Sequence, residues 1–320
     1  MTSKYQQMID FLNTQRNMII CGHEQPDGDC LGSMLAVYHA FAGKQKNWRL
    51  VSPDIIPPHL SYLPGIELII KPEDIDIDVD SVLILDCRSA HRTGLWLEPY
   101  LSGRPVYCAD HHEGKRFDGN YLILEPEAAA TAEIIAAIID EAGIELNADI
   151  AINLYSGIVS DSGGFRYPCT TQRSLILAAK LLPWVDIEQI TVHIFEDCSL
   201  ANMRLKGYCC SSMQLTCGGQ LCYAVLDKPT IESMGAKPVD LSNIVNYTLM
   251  THGVRLGVLF EEHDDFIKVS FRSRKGINVC DLAHSLGGGG HELAAGVRIR
   301  EPLAIAQERV LNAAKEMIAQ

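Results

Sequence analysis

The chain has 320 residues, 47% of them hydrophobic, and a formal net charge of −13. That length exceeds one ordinary core, so two domains are expected. The charge argues against a protein that coats long nucleic acid, which relies on Lys and Arg to neutralise many phosphates. No apolar run approaches the ~18–20 residues of a membrane span. Residues 1–17 are polar and lack the apolar region of a signal peptide, so the cytoplasm is the expected compartment. The eleven cysteines form no C-x-x-C pair. Several (Cys21, Cys87, Cys108, Cys222) sit in or beside apolar runs, as free thiols in a reducing compartment do. The adjacent Cys209 and Cys210 lack zinc-ribbon spacing.

Residues 4–12 are predicted to form a helix and 17–21 a strand ending at Gly22. His23, Asp27 and Asp29 then fall within seven residues. Pro26 and Gly28 read as a turn, followed by a buried helix over 31–41 that stops at Gly43. The glycine between the two aspartates lets their carboxylates converge without backbone strain. Two carboxylates and an imidazole so crowded repel one another unless a cation sits between them. The plainer alternative is that Asp27 and Asp29 only cap the next helix.

A short strand is expected at 48–51, and Pro53, Pro57, Pro58 and Pro64 mark an irregular connection. Residues 82–85 are wholly apolar and end in Asp86. A second such run, 105–109, ends in Asp110, His111 and His112. Both have the pattern of parallel strands buried on two faces. Residues 131–142 and 150–159 read as helices, the second with Asp149 as a cap and leading to Asp161, Gly163 and Gly164. This alternation indicates an α/β domain with a doubly wound, mainly parallel sheet. After a helix at 175–182, helical segments containing 192–195 and 200–212 are expected to bridge to a second domain. From 217 the texture changes to short alternating runs (221–226, 254–261, 266–272), read as strands of a smaller α+β domain. A last strand and an amphipathic helix from Pro302 close the chain.

Three strands thus end in potential ligands, and sites in open α/β sheets form beyond the carboxyl ends of strands. His23, Asp27, Asp29, Asp86, His111 and Asp161 are too many ligands for one catalytic ion with open positions. They suit two ions sharing a bridging carboxylate, a pair that activates water and stabilises both oxygens in phosphoryl displacement. Oxygen and imidazole donors without cysteine favour Mn²⁺, with Mg²⁺ or Co²⁺ acceptable and Zn²⁺ less so. A calcium loop fails because Leu31 stands where an oxygen ligand is needed. The glycine run 287–290 reads either as a flexible loop or as successive N–H groups around an anion or base edge. His291, Arg272 and Arg274 favour a phosphate site. No Gly-Lys-Ser/Thr follows, so it is not a Walker loop.

The motifs H-E-Q-P-D-G-D-C-L-G-S from His23, D-C-R-S-A-H-R-T-G from Asp86, D-H-H from Asp110 and G-I-V-S-D ending at Asp161 resemble those of the DHH phosphoesterases. F-R-S at Phe271 and G-G-G-G-H-E-L-A-A-G around His291 resemble the associated DHHA1 domain. The match runs in order along nearly the whole chain and is similar to the branch of oligoribonucleases and 3′-phosphoadenosine-5′-phosphate phosphatases. The resemblance implies a DHH catalytic metal-binding domain over 1–190, a helical linker over 191–215 and a DHHA1 substrate-binding domain over 216–320, with the active site in the cleft between the domains. It implies the six residues above as metal ligands, with Asp86 the bridge. His112 would stand beside the substrate phosphate, with Asp110 orienting it. Catalytic roles thus fall to Asp29, Asp86, Asp110 and His112. Arg272, Ser273, Gly288, Gly289, Gly290 and His291 would hold the nucleotide. Arg92 is a structural or a phosphate residue. Gly163 and Gly164 depart from the family, where a bulkier residue is common. The expected activity is Mn²⁺-dependent hydrolysis of short oligoribonucleotides, releasing nucleoside monophosphates, or of 3′-phosphoadenosine-5′-phosphate. Short single-stranded RNA or a small nucleotide is the expected partner; no long duplex and no membrane are expected, and a homodimer is allowed. The alternatives are a cyclic or linear dinucleotide phosphodiesterase, a non-catalytic nucleotide-binding sensor and, more weakly, a pyrophosphatase.

Overall fold

Residues 3–87, 90–112, 119–290 and 292–319 are described by the computed structural model. The chain divides into two units, Met1–Asp197 and Cys198–Gln320. The first is built on six strands: β1 (Asn17–Cys21), β2 (Asn47–Val51), β3 (Ile69–Ile70), β4 (Ser81–Leu85), β5 (Val106–Asp110) and β6 (Tyr121–Leu124). They lie in the order β3-β2-β1-β4-β5-β6, and every neighbouring pair is parallel. Chain order reverses between β1 and β4, the place where an open α/β sheet opens a crevice at its carboxyl edge. Side chains alternate across each strand, and both faces are covered. Met18, Ile20, Leu83 and Leu85 pack under the helices Gln6–Thr14, Gly28–Phe41, Thr131–Glu141 and Ala148–Asp161. Ile19, Cys21, Val82, Ile84 and Cys108 face Leu97 and its short neighbouring turns.

The helix expected to begin at 31 begins at Gly28, so Asp29 lies in its first turn rather than in the preceding loop. Pro26 is no obstacle, because it precedes the cap. Asp27 is that cap, its Oδ1 accepting from the backbone N–H groups of Asp29 (3.0 Å) and Cys30 (3.1 Å). The cap of Ala148–Asp161 is Asn147, not Asp149: its side chain accepts from Ile150 N at 2.9 Å, and Asp149 sits in the first turn. The helices Gly28–Phe41 and Ala148–Asp161 cross closely because glycines face the contact. A Cβ on Gly32 would meet the Asn153 carbonyl oxygen at 2.4 Å.

The second unit carries β7 (Gln214–Thr216), β8 (Leu221–Leu226), β9 (Leu256–Glu262), β10 (Ile267–Ser273), β11 (Gly289–Gly290) and β12 (Ala294–Ile299), in the order β11-β12-β10-β9-β8-β7. All pairs are antiparallel except β8 with β9. Phe260 and Phe271 are fully buried against the helices Val279–Ser285 and Leu303–Ala319. On the opposite face the helix Leu200–Ser212 buries Leu205 and Cys209 against Ala224 and Leu226. All eleven cysteines are free thiols. Among the described residues no helix is long and apolar enough to cross a membrane.

Candidate metal centre

The carboxyl ends of β1, β4 and β5, beside that reversal, lead into five of the ligand candidates, and the sixth, Asp161, ends the helix Ala148–Asp161. His23 follows β1. Its Nδ1–H donates to the Glu24 carbonyl at 2.8 Å, which turns Nε2 toward Asp86 Oδ2 (3.3 Å) and Asp27 Oδ1 (3.9 Å). His111 follows β5 and is oriented the same way, Nδ1–H donating to the Ala128 carbonyl at 3.1 Å. Its Nε2 stands 3.2 Å from Asp161 Oδ2, 3.5 Å from Asp86 Oδ1 and 3.9 Å from Asp29 Oδ2. That nitrogen is buried and makes no aligned hydrogen bond among the described residues. Backbone carbonyls thus fix both tautomers and leave Nε2 as the ligand atom, the usual support for a metal-binding imidazole.

Asp29 is fully buried and needs several donors to offset its desolvation. Its Oδ2 accepts from Thr131 N at 2.6 Å, and its Oδ1 from Ala132 N at 2.9 Å and Ser33 Oγ at 3.3 Å. Both backbone donors open the helix Thr131–Glu141, whose dipole favours an anion there. Asp86 is also buried and adopts the left-handed conformation at φ 58°, a strained backbone that Asp tolerates better than most residues. Its Oδ1 accepts from the Thr131 hydroxyl at 2.9 Å. Asp110 Oδ1 accepts from the backbone N–H and the ring Nδ1 of His112, at 3.0 and 2.7 Å.

Ligand atoms of His23, Asp27 and Asp86 lie within 4.8 Å of one another, as do those of Asp29, His111 and Asp161. A third such group, Asp86, His111 and His112, has Asp86 in common with the first. The six residues singled out in the sequence thus converge. The capping role of Asp27 and the ligand role are compatible: Oδ1 caps, and the half-exposed carboxylate still borders the cluster.

The electrostatics fit a site that wants a cation. Burial opposes charge on His23, but its bond to Asp86 and the charges of Asp27 and Asp86 raise the ring to about 9. Burial opposes charge on His111 too, and Asp161, Asp29 and Asp86 outweigh it, to about 11. Burial first, then repulsion from Asp86 and Asp161, holds Asp29 well above the ordinary carboxyl value. Burial and Asp27 lift Asp161 to about 6. Asp86 is held below its ordinary value: burial works against this, but the bond to His23 and the three nearby imidazoles prevail. In protein stripped of metal, the protonated His23 therefore adds stability fully present below pH 6.5, which disappears as pH rises through about 9. A metal needs the unprotonated Nε2, so binding releases protons and its affinity moves the opposite way. Calorimetric titration with Mn²⁺ should show affinity rising at least about tenfold per pH unit between pH ~7 and ~9. A pH-independent affinity would contradict this ligand set.

The second unit places its candidates differently from the expected cradle. The N–H groups of Gly287 and Gly288 already donate to the His284 and Ala283 carbonyls, ending the helix Val279–Ser285. Gly289 and Gly290 pair with Gly296 and Ala295 of β12. The run is therefore partly a cap and a strand, not a row of open donors. The buried Ser273 hydroxyl donates to the Ile277 carbonyl at 2.7 Å, and Arg272 Nε to Asn246 Oδ1 at 3.0 Å. His291 lies outside the described residues. The Arg92 carbonyl accepts from Glu24 N at 2.6 Å, so its backbone helps hold the loop after His23. Sequence reasoning missed Thr131, which touches both Asp29 and Asp86; a threonine opening a helix is too common a signal to single out.

The sequence model of the DHH family, N-terminal domain, matches residues 17–158, and that of the DHHA1 domain matches 218–320. The first span holds five of the six ligand candidates, and Asp161 lies just beyond its end. The chain belongs to the DHH family and is a metal-dependent hydrolase of phosphoric esters. Its relatives include the bifunctional oligoribonuclease and PAP phosphatase NrnA of Thermus thermophilus, 33% identical over 93% of this chain and 89% of the relative. The Bacillus subtilis protein of the same name is 27% identical over 92% of each. Among solved structures, an exopolyphosphatase-related protein from Bacteroides fragilis superposes with a TM-score of 0.92 at 23% identity, covering 99% of this chain and 98% of that one. RecJ from Thermus thermophilus, in complex with Mn²⁺, gives 0.58 at 14% identity, covering 98% of this chain and 55% of that one. These two likenesses show the shared fold.

Proposed function

We propose that this chain hydrolyses short oligoribonucleotides and 3′-phosphoadenosine-5′-phosphate, using two Mn²⁺ ions. The observation that carries the reading is the pairing of His23, Asp27 and Asp86 with Asp29, His111 and Asp161, two triads at one sheet edge. It is supported by the orphaned Nε2 of His111 and by the donor chemistry, four carboxylates and two imidazoles without a thiolate. The first triad would hold one ion and the second the other, with Asp86 between them. When bound, the ions would supply an activated water and stabilise charge on the phosphoryl oxygens. The chain's own residues do the rest. Asp110 accepts a hydrogen bond from His112 Nδ1–H and fixes the ring, so that Nε2 meets a phosphate oxygen of the substrate. We assign metal chemistry to residues 1–190, the connection to 191–215 and nucleotide recognition to 216–320. There Arg272 and His291 would contact substrate, Gly288, Gly289 and Gly290 would let it approach the backbone closely, and Ser273 would shape the turn behind them.

A panel of substrates tests this reading with Mn²⁺ present: di- to pentaribonucleotides, a long single strand, 3′-phosphoadenosine-5′-phosphate, a cyclic dinucleotide and pyrophosphate. With a net charge of −13, few phosphate contacts are expected. Short RNAs should be degraded faster than the long strand, with a shallow salt dependence. Equal rates on the long strand, or a steep salt slope, would contradict the assignment. Binding of all nucleotides without turnover would point to a sensor instead.

A further inference from the structure

The segment from Glu125 to Glu133, running from the end of β6 into the first turn of the next helix, touches three of the six ligands. The Ala128 carbonyl accepts a hydrogen bond from His111 Nδ1–H at 3.1 Å. The N–H groups of Thr131 and Ala132 hold Asp29 at 2.6 and 2.9 Å, and the Thr131 hydroxyl reaches Asp86 at 2.9 Å. Both ends of this segment are gripped by one side chain from elsewhere. Arg173, on the helix Gln172–Leu181, donates Nη1 to Glu125 Oε2 at 2.6 Å and Nη2 to the Glu133 carbonyl at 3.0 Å. Its Nε lies 3.4 Å from Glu133 Oε2. The Glu133 side chain is wholly buried and neither of its oxygens has a hydrogen-bond partner among the described residues, so the guanidinium beside it offsets an otherwise costly charge. The grip passes inward through the backbone. Glu125 N donates to the Asp110 carbonyl at 3.1 Å, and Ala128 N to the Glu125 carbonyl at 3.0 Å.

We propose that Arg173 is a positioning residue for the metal centre: its planar fork closes the segment 125–133 like a staple, and the closed segment holds His111, Asp29 and Asp86 in coordinating geometry. This inference rests on the metal reading above. A planar guanidinium suits the task because it meets two acceptors in fixed directions while its charge faces the Glu133 carboxylate. Residues that orient ligands usually change metal affinity by about 10–100-fold when lost.

The test is calorimetric titration of metal-stripped protein with Mn²⁺, comparing the wild type, Arg173→Met and the double variant Arg173→Met/Glu133→Gln. Arg173→Met should bind Mn²⁺ about 10–100-fold more weakly. At the Mn²⁺ concentration that saturates the wild type, kcat should fall while KM for a dinucleotide stays unchanged. If the single variant fails to fold, the double variant decides, since it no longer carries an unpaired buried carboxylate. It too should bind Mn²⁺ weakly, because the link to Glu125 is still missing. Wild-type affinity in either variant would overturn the staple, even if melting temperature falls. A wild type that binds no Mn²⁺ would instead overturn the metal reading itself.

Discussion

Asp86→Asn should abolish turnover, with a loss on the order of 10³-fold or more, while the fold survives. Asp86 belongs to two of the three ligand groups, so among the described residues no other carboxylate serves as many neighbours. Asn is a cleaner replacement than Ala, because at φ 58° it tolerates the left-handed backbone and still offers an oxygen to the Thr131 hydroxyl. Only the charge disappears. The imidazoles of His23, His111 and His112 all lie within 3.5 Å of an Asp86 oxygen and would lose that counter-charge together. Circular dichroism and melting should show a folded protein, and elemental analysis should show lost Mn²⁺. Near-normal turnover of Asp86→Asn with Mn²⁺ present would mean that no ion pair shares this residue.

Much of this centre was legible because each ligand stands where a strong local pattern breaks. An apolar strand that ends in a single aspartate, as at Leu85 and Asp86, places a costly carboxylate at the mouth of a buried sheet, where a cation can compensate it. The glycines and Pro26 around Asp27 and Asp29 told of a strand's end, but not that the helix starts at Gly28. Helix starts depend on a capping bond, and Asp27 was a candidate for two roles at once. The staple was not legible at all. Arg173, Glu125 and Glu133 lie up to 48 positions apart, and each alone has the look of an ordinary surface charge. Their meeting depends on the tertiary packing of helices, which no periodicity reports. The glycine run was only partly legible for a related reason. Sequence shows that glycine frees the backbone, but not whether its N–H groups are then consumed by a helix end, as those of Gly287 and Gly288 are.

Gly157→Val is expected to cripple the centre without removing any ligand. Gly157 lies one turn before Asp161 on the same face of the helix Ala148–Asp161. A Cβ there would meet the Ala132 Cβ and Asp29 Oδ1, each at 2.8 Å. Neither neighbour can yield. Ala132 N donates to Asp29, and Asp29 is buried with all of its donors fixed. The helix carrying Asp161 must therefore back away from the one carrying Asp29, which pulls apart the triad that includes His111. Overpacking of this kind costs about 1–3 kcal/mol. At roughly 2–4 °C per kcal/mol for a domain of this size, melting should fall by several degrees. Mn²⁺ affinity should fall at least about tenfold, as when a ligand loses its supporting contacts. Gly207→Ala is the control, because that glycine also sits inside a helix but has open space around its missing Cβ. There alanine should raise stability by up to about 1 kcal/mol and leave Mn²⁺ binding unchanged. Should Gly157→Val bind Mn²⁺ as tightly as the wild type, the close crossing of these helices is not what holds Asp29 and Asp161 together.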